Sequence, residues 1–320
     1  MTIKNLLITA TVSDDFKKRL AAMLPETEIV YKKDAELEDV GRADVLFGSV
    51  EPDFLADRPN LKWIQTSSAG TDHIAWKISP ETRLTNATGA FGPAISEYML
   101  AVTLSAMKCL PQYLMNQKAH MWHRDGTVRY IEDSVLLVLG LGDIGAAFAR
   151  KMKALGAYTI GVRRLDSDKP DYMDEVYLSD AETIDRLIPR ADVIALALPN
   201  NPETHHTLNA ERMAMMKPGA IVINVGRGGA IDTDALVEGL RVGKPSFACL
   251  DVTDPEPLPF EHPLWDANNV IITPHCSGWQ RSANNPSDPP EIFLENVAAF
   301  LEDRPLRNLV DRETGYRKTF

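Results

Sequence analysis

SVLLVLGLGDIG, Ser134 to Gly145, decides how this chain folds. An apolar run, Ser134–Leu139, gives way at once to Gly140, Gly142 and Gly145 in G-x-G-x-x-G spacing, and AAFARKMKALG follows with helical character. A strand, a glycine turn and a helix in that order open the first βα unit of a dinucleotide-binding fold. The first glycine permits the tight turn, the second lets backbone approach a pyrophosphate, and the third lets helix and strand pack closely. Backbone N–H groups and the positive helix end then attract phosphate. Gly140, Gly142, Asp143, Ile144 and Gly145 are therefore candidate cofactor contacts. A plain strand-to-helix turn is the competing reading, and the surrounding series weighs against it.

Downstream of the glycines come YTIGV, ADVIALAL, AIVINV, SFACLDV and NVIITP, each separated by helix-forming sequence. With the first strand they make six, enough for a complete dinucleotide-binding half. Upstream, NLLITATV, EIVYK, ADVLFGSV and LKWIQTSS alternate with helical stretches such as SDDFKKRLAAML. Strands alternating with helices predict an α/β chain with parallel sheets. Pro93 to Met121 reads as one long helical region, able to cross between domains. RSANNPSDPP, Arg281 to Pro290, interrupts the pattern, and a last helix over roughly Glu291–Leu301 ends before Pro305. That helix is expected to pack back on the first domain. The predicted division is residues 1–101 plus 281–320 for a substrate domain and 102–280 for the dinucleotide domain.

A length of 320 residues suits two domains. A formal net charge of -11 argues against nucleic acid or an anionic membrane as partner. The start, MTIKNLLITATV, reads as a first strand rather than a signal peptide, and no apolar stretch is long enough to span a bilayer. Cys109, Cys249 and Cys276 are few, odd in number and scattered, without metal or disulfide spacing, so a reducing cytoplasm is the default expectation. His205-His206 and Cys276 suggest no metal either, because no third ligand is suitably spaced.

Arg163 lies eighteen residues after Gly145, followed by Arg164, in YTIGVRRLD. In NAD-binding versions of this fold that region carries an acid for the ribose hydroxyls. Arginine removes a carboxylate that would repel a 2′-phosphate and adds a bidentate phosphate donor. The expectation is a preference for NADPH over NADH. A solvated basic pair facing Asp166 and Asp168 is the alternative.

Three later loops carry the reactive side chains. Arg227 follows AIVINV, Glu256 follows SFACLDV, and His275 follows NVIITP, so all three should emerge at carboxyl ends of strands, where open α/β sheets place ligands. A guanidinium clamps a carboxylate through two parallel hydrogen bonds. An imidazole exchanges a proton near neutral pH, and a neighbouring carboxylate orients it and favours its charged form. Taken singly, each has an ordinary structural alternative. Convergence on one crevice beside a nicotinamide points to hydride transfer involving a small carboxylate-bearing substrate.

From Ser68 to Gly278 the chain resembles the D-isomer-specific 2-hydroxyacid dehydrogenases. The matching segments are SAGTDHI, GLGDIG, LALPNNPETHHTLN, MKPGAIVINVGRGGAID, ACLDVTDPEPLP with HPLW, and TPHCSG, in the family's order. The resemblance implies two Rossmann-like domains, the cofactor domain inserted into a discontinuous flavodoxin-like substrate domain, and a homodimer joined through the cofactor domain. It implies that Arg227 binds the carboxylate and 2-oxo group of a small 2-oxoacid, that His275 gives the proton in reduction, and that Glu256 pairs with it. By the same carry-over Ala69 and Gly70 hold the substrate carboxylate. Asp251 meets the nicotinamide carboxamide, and Pro199, Thr204, Val225, Gly226 and Gly278 line the cofactor. Two departures, Ala90-Phe91-Gly92 and RSANNPSDPP, bear on substrate identity. Phe91 and Trp279 are candidate pocket walls, with ordinary aromatic packing as the alternative. Glu256 stands where the formate-specific branch has glutamine. A nucleotide-sensing corepressor on the same fold is the competing function.

Overall fold

The computed structural model describes residues 1–278 and 288–312. Trp279 and most of the Arg281–Pro290 stretch lie outside the described residues. The chain divides into two compact units, Met1–Ala90 with Ser282–Phe320, and Phe91–Arg281.

The first unit begins with β1 (Asn5–Ile8), α1 (Asp14–Met23), β2 (Glu28–Tyr31), α2 (Leu37–Arg42), β3 (Val45–Phe47), β4 (Trp63–Gln65) and β5 (Arg83–Thr85). Ser13 starts α1 by accepting the Phe16 N–H at 3.2 Å, and the helix then buries Phe16 and Leu20. The strands form one parallel sheet in the flavodoxin-like order β2-β1-β3-β4-β5. Strand β5 had no sequence signal. It is three residues long, too short to show alternation, and it forms because Trp63, Ile64 and Gln65 offer it a parallel edge.

The second unit opens with α3 (Gly92–Met107) and α4 (Leu110–Lys118). The single long helix expected over Pro93–Met121 is thus two. Pro111 has no N–H to continue the ladder, and Cys109 turns the chain with φ of 56°. Then follow β6 (Val135–Leu139), α5 (Asp143–Ala154), β7 (Tyr158–Arg163), β8 (Glu175–Leu178), α6 (Ala181–Leu187), β9 (Val193–Leu196), α7 (Ala210–Ala214), β10 (Ile221–Asn224), α8 (Thr233–Val242), β11 (Phe247–Leu250) and β12 (Val270–Ile272). The sheet is parallel, ordered β12-β11-β10-β9-β6-β7-β8. It has seven strands where six were expected. The addition, β8, is an edge strand that no residue buries fully, so it lacks the apolar run that marked the others.

Strand order reverses between β6 and β9, which makes the carboxyl end of β6 the switch point where ligands bind. Helices cover both faces. One core gathers Leu137, Ile194 and Val222, and the other Leu136, Phe148 and Ile223. Successive strand residues point to opposite faces, so neighbours in sequence enter different cores. Helix α3 packs along α5 and contributes Met99, Ala106 and Met107 to the second core. The division therefore falls at Ala90 and Phe91, ahead of the 101/102 boundary read from sequence.

The last helix, α9 (Pro289–Leu301), belongs to the first unit. Phe293 stacks on Phe47 with centroids 4.4 Å apart, and Trp63 stacks on both Phe293 and Phe300. Offset aromatic pairs add about 0.5–1.5 kcal/mol each beyond area burial. Asn296, fully buried, donates to Gln65 at 2.8 Å and accepts the Arg307 N–H at 2.7 Å. A buried amide left without partners is costly, so this network fixes how the helix sits on its sheet.

Candidate active site

The glycine loop follows β6 as its sequence demands. Gly140 has φ of 98°, and a Cβ there would lie 2.5 Å from the Ala197 carbonyl oxygen. At Gly145 a Cβ would press into the Gly140 carbonyl oxygen, so α5 packs on its strand only because this position is glycine. Gly142, the residue preceding α5, faces open space, with no atom within 4 Å of a Cβ position. An open, side-chain-free helix start suits the approach of a diphosphate. Ile144 is half-buried against the core. Asp143 accepts the Gly92 N–H at 2.9 Å, so its carboxylate caps α3.

Behind the loop, Arg163 ends β7 and donates to the carbonyl oxygens of Ser167 and Asp168. Its guanidinium thereby holds the turn that follows, while Arg164 stands exposed on that turn. Thr204, nearly buried, donates to the Pro199 carbonyl oxygen at 2.7 Å and closes the loop after β9.

Strands β10, β11 and β12 are neighbours, and their carboxyl-end loops carry Arg227, Glu256 and His275. Asn224, at the end of β10, accepts the Gly226 N–H at 3.1 Å and donates to the Arg227 carbonyl oxygen at 2.9 Å. It shapes the turn that presents Arg227, and sequence reasoning passed over it because Asn in a strand-end loop is commonplace. Arg227 Nη1 donates to the Gly226 carbonyl oxygen at 2.9 Å. Val225 beside it is buried. Gly228 lies so close to Thr253 and Asp254 that a side chain there would collide with their backbone. The loops after β10 and β11 are therefore pressed together.

His275 Nδ1 lies 2.7 Å from Glu256 Oε1. The two side chains are 49% and 41% exposed, so the pair is open to solvent. With Nδ1 engaged by Glu256, Nε2 is the ring nitrogen left for another partner. His275 has φ of 50°, an uncommon conformation for a residue with a Cβ. Backbone bonds hold it there: its N–H donates to the Asp251 carbonyl oxygen at 2.8 Å. The Asp251 carboxylate, 1% exposed, accepts the N–H groups of Cys276 at 2.9 Å and Ser277 at 3.0 Å, and the Thr273 hydroxyl at 2.6 Å. Tyr98, on α3, reaches Thr273 Oγ1 at 2.7 Å. Neither Tyr98 nor Thr273 carried a sequence signal. Burial pushes the Tyr98 hydroxyl well above its usual range, so it remains a protonated donor.

Gly278 packs against Phe91 and Ile95 at the start of α3. Ala69 and Gly70 belong to the first unit, where their carbonyl oxygens accept from Asn86 Nδ2 and Ser68 Oγ, each at 2.8 Å. His205 and His206 stack with centroids 3.9 Å apart. Among the described residues no group of three or more metal-ligating side chains forms, and no helix is long and apolar enough to cross a membrane. Burial raises the Cys249 thiol well above its ordinary range, as befits a core residue.

Known proteins give this geometry a family. The family model for the D-isomer specific 2-hydroxyacid dehydrogenase NAD-binding domain matches residues 100–277. A crystal structure of a D-isomer specific 2-hydroxyacid dehydrogenase family protein from Aeromonas salmonicida is 35% identical. It aligns over 97% of this chain and 99% of its own, with a TM-score of 0.84. The NADPH-dependent glyoxylate/hydroxypyruvate reductase of Sinorhizobium meliloti, solved with NADP and sulfate, is 25% identical. It aligns over 98% of this chain and 100% of its own, with a TM-score of 0.81. D-3-phosphoglycerate dehydrogenase of Methanocaldococcus jannaschii is 33% identical over 96% of this chain, which spans 59% of that longer relative. The glycine loop at the switch point, the histidine–glutamate pair and these matches together place the chain in the D-isomer specific 2-hydroxyacid dehydrogenase family, with an NAD-binding domain in its second unit.

Proposed function

We propose that this protein reduces a small 2-oxoacid to the D-2-hydroxyacid with NADPH as preferred donor, and that Arg227, Glu256 and His275 carry the reaction. The observation that carries this reading is the 2.7 Å contact between His275 Nδ1 and Glu256 Oε1, on loops beside the one bearing Arg227. Nicotinamide, when bound, supplies the hydride.

The protein's own groups do the rest. His275, steered by Glu256, presents Nε2 to the ketone oxygen and gives it a proton. Arg227 binds the carboxylate and polarises the same oxygen. Fixed donors aimed at developing oxyanion charge lower the barrier more than water does, because they need no reorganisation. Holding the reactants in contact supplies the proximity contribution. Backbone at Ala69 and Gly70 is proposed to bind the carboxylate as well, and Phe91 to wall the pocket. Gly140, Gly142 and Gly145 leave room for the diphosphate. Pro199, Thr204, Val225, Gly226 and Gly278 line the cofactor, and Asp251 supports the nicotinamide side.

For NADPH the relevant observation is the pair of arginines at the end of β7. Arg163 donates to the carbonyl oxygens of residues 167 and 168, and Arg164, the more exposed of the two, is the guanidinium proposed to reach a 2′-phosphate. The likeness to an NADPH-dependent glyoxylate/hydroxypyruvate reductase favours that donor and substrates of that size. A homodimer fits the exposed apolar side chains on and after α4, Leu110, Leu114, Met115, Met121, Trp122 and Tyr130. Light scattering after gel filtration reads that state directly.

A spectrophotometric panel of 2-oxoacids with NADH and NADPH tests the reading. Turnover of glyoxylate or hydroxypyruvate, faster with NADPH at equal concentration, is the expected result. Tight nucleotide binding with no turnover on any 2-oxoacid would instead favour a nucleotide-sensing protein on this fold.

A further inference from the structure

We infer that Tyr98 is a positioning residue for His275, acting through a hydroxyl relay that runs from Tyr98 to Thr273 to Asp251. The inference rests on the reductase reading above for its catalytic half and on hydrogen-bond geometry for the rest.

Donor directions follow from the inventory of protons. The Thr273 hydroxyl donates to Asp251 Oδ1, because a carboxylate only accepts. Thr273 has only that one proton, committed at 2.6 Å. Its contact with Tyr98 at 2.7 Å must therefore be an acceptance, with Tyr98 donating. The order is Tyr98 Oη–H to Thr273 Oγ1, then Thr273 Oγ1–H to Asp251 Oδ1.

What that relay steadies is the segment bearing His275. Asp251 grips residues 275, 276 and 277 at once, through its own carbonyl oxygen and both carboxylate oxygens. His275 sits at a positive φ that persists only when surrounding contacts over-determine it. Free rotation of the Asp251 carboxylate would slacken two of those contacts. Thr273, itself held by Tyr98 from a core-packed helix, blocks that rotation. Tyr98 is far along the chain from the histidine loop, yet it ties α3 to the loop after β12. A side chain that only filled space would need no hydroxyl.

Three single variants of the protein test the relay: Tyr98→Phe, Thr273→Val and Thr273→Ser. The first readout is hydrogen–deuterium exchange of the 273–278 segment, which needs no activity. Faster exchange there in Tyr98→Phe and Thr273→Val, with wild-type exchange in Thr273→Ser, is expected. The second readout is kinetic. Both hydroxyl-removing variants should lose about tenfold in kcat, since small misplacements of a reacting group are costly. Their nucleotide dissociation constants should stay near wild type. The double variant Tyr98→Phe/Thr273→Val should be no worse than Thr273→Val, because both cut one chain. Unchanged exchange in Tyr98→Phe overturns the inference. A lowered melting temperature with wild-type kcat also overturns it, by reducing Tyr98 to a packing role. Altered exchange in a protein that turns over no 2-oxoacid overturns the reductase reading and keeps the relay as a loop anchor only.

Discussion

The Asp143 carboxylate accepts the backbone N–H of Gly92 at 2.9 Å, so one side chain serves the N-terminal ends of two helices. Asp143 is the first residue of α5, and Gly92 is the first of α3. Both helix ends favour a negative charge. Under the proposed cofactor placement the same charge stands in the diphosphate loop, where it repels. Asp143→Ala should therefore act in opposite senses. Stability should fall by about 1 kcal/mol, a typical capping loss, which for a unit the size of Phe91–Arg281 is about 2–4 °C in melting temperature. Nucleotide binding should tighten several-fold. Thermal melts and a fluorescence titration with NADPH check both. An unchanged melt with weaker binding would show that Asp143 serves the nucleotide instead.

Arg163 and Arg164 should separate in a cofactor assay. Arg164→Ala removes the exposed donor and should raise KM for NADPH by about tenfold or more, the worth of a charge-assisted hydrogen bond, with little change for NADH. Arg163→Ala frees the carbonyl oxygens of Ser167 and Asp168 and should weaken both cofactors by loosening the turn. Equal losses for both cofactors in Arg164→Ala would end its assignment to the 2′-phosphate.

His275→Ala should depress kcat by at least about a hundredfold, as expected when acid–base catalysis is lost. Glu256→Gln keeps a hydrogen-bonding group near His275 Nδ1 but removes the charge, so a smaller loss in kcat is expected with KM for the oxoacid nearly unchanged. Steady-state kinetics at one pH decide it. Near-normal turnover in His275→Ala removes that residue from the role.

Acid stability should depend on Glu175. The Arg190 guanidinium, donating to both its oxygens, holds the Glu175 carboxyl at about 2 instead of 4.5. Tyr158 and Tyr177 donate to the same carboxylate. A carboxyl depressed on folding contributes stability that is full above its unfolded value and is lost as pH falls towards the folded one. The window here is about pH 4.5 down to about 2. Arg190 is 41% exposed, so solvent screening reduces the worth of the pair to about 1 kcal/mol. Glu175→Gln should be less stable by that amount at pH 7, and the gap should close across the window. Urea melts at several pH values measure it, and a constant gap down to pH 2 would refute the assignment.

Much of the site was legible because its chemistry depends on residue type at fixed spacing. G-x-G-x-x-G needs glycine for steric reasons that the structure makes explicit at Gly140 and Gly145. Histidine, glutamate and arginine announce themselves after strands that are apolar enough to recognise. Strands β5 and β8 were not legible. One is three residues long and the other sits exposed at an edge, so neither carries a periodic pattern. The break at Cys109 was legible in principle, since Pro111 suits the first turn of a new helix, as it does in α4, but the apolar run across it masked that signal.

By itself the sequence determined the α/β class, the glycine turn after β6, and which side chains could bind a carboxylate and move a proton, since these follow from local periodicity and from functional groups. Tertiary structure alone decided that Nδ1 of His275 meets Glu256, and that Tyr98 stands behind Asp251 through Thr273. Those are hydrogen bonds between residues distant in the chain. Their partners are chosen by how strands order and helices pack, and no window of sequence contains both ends.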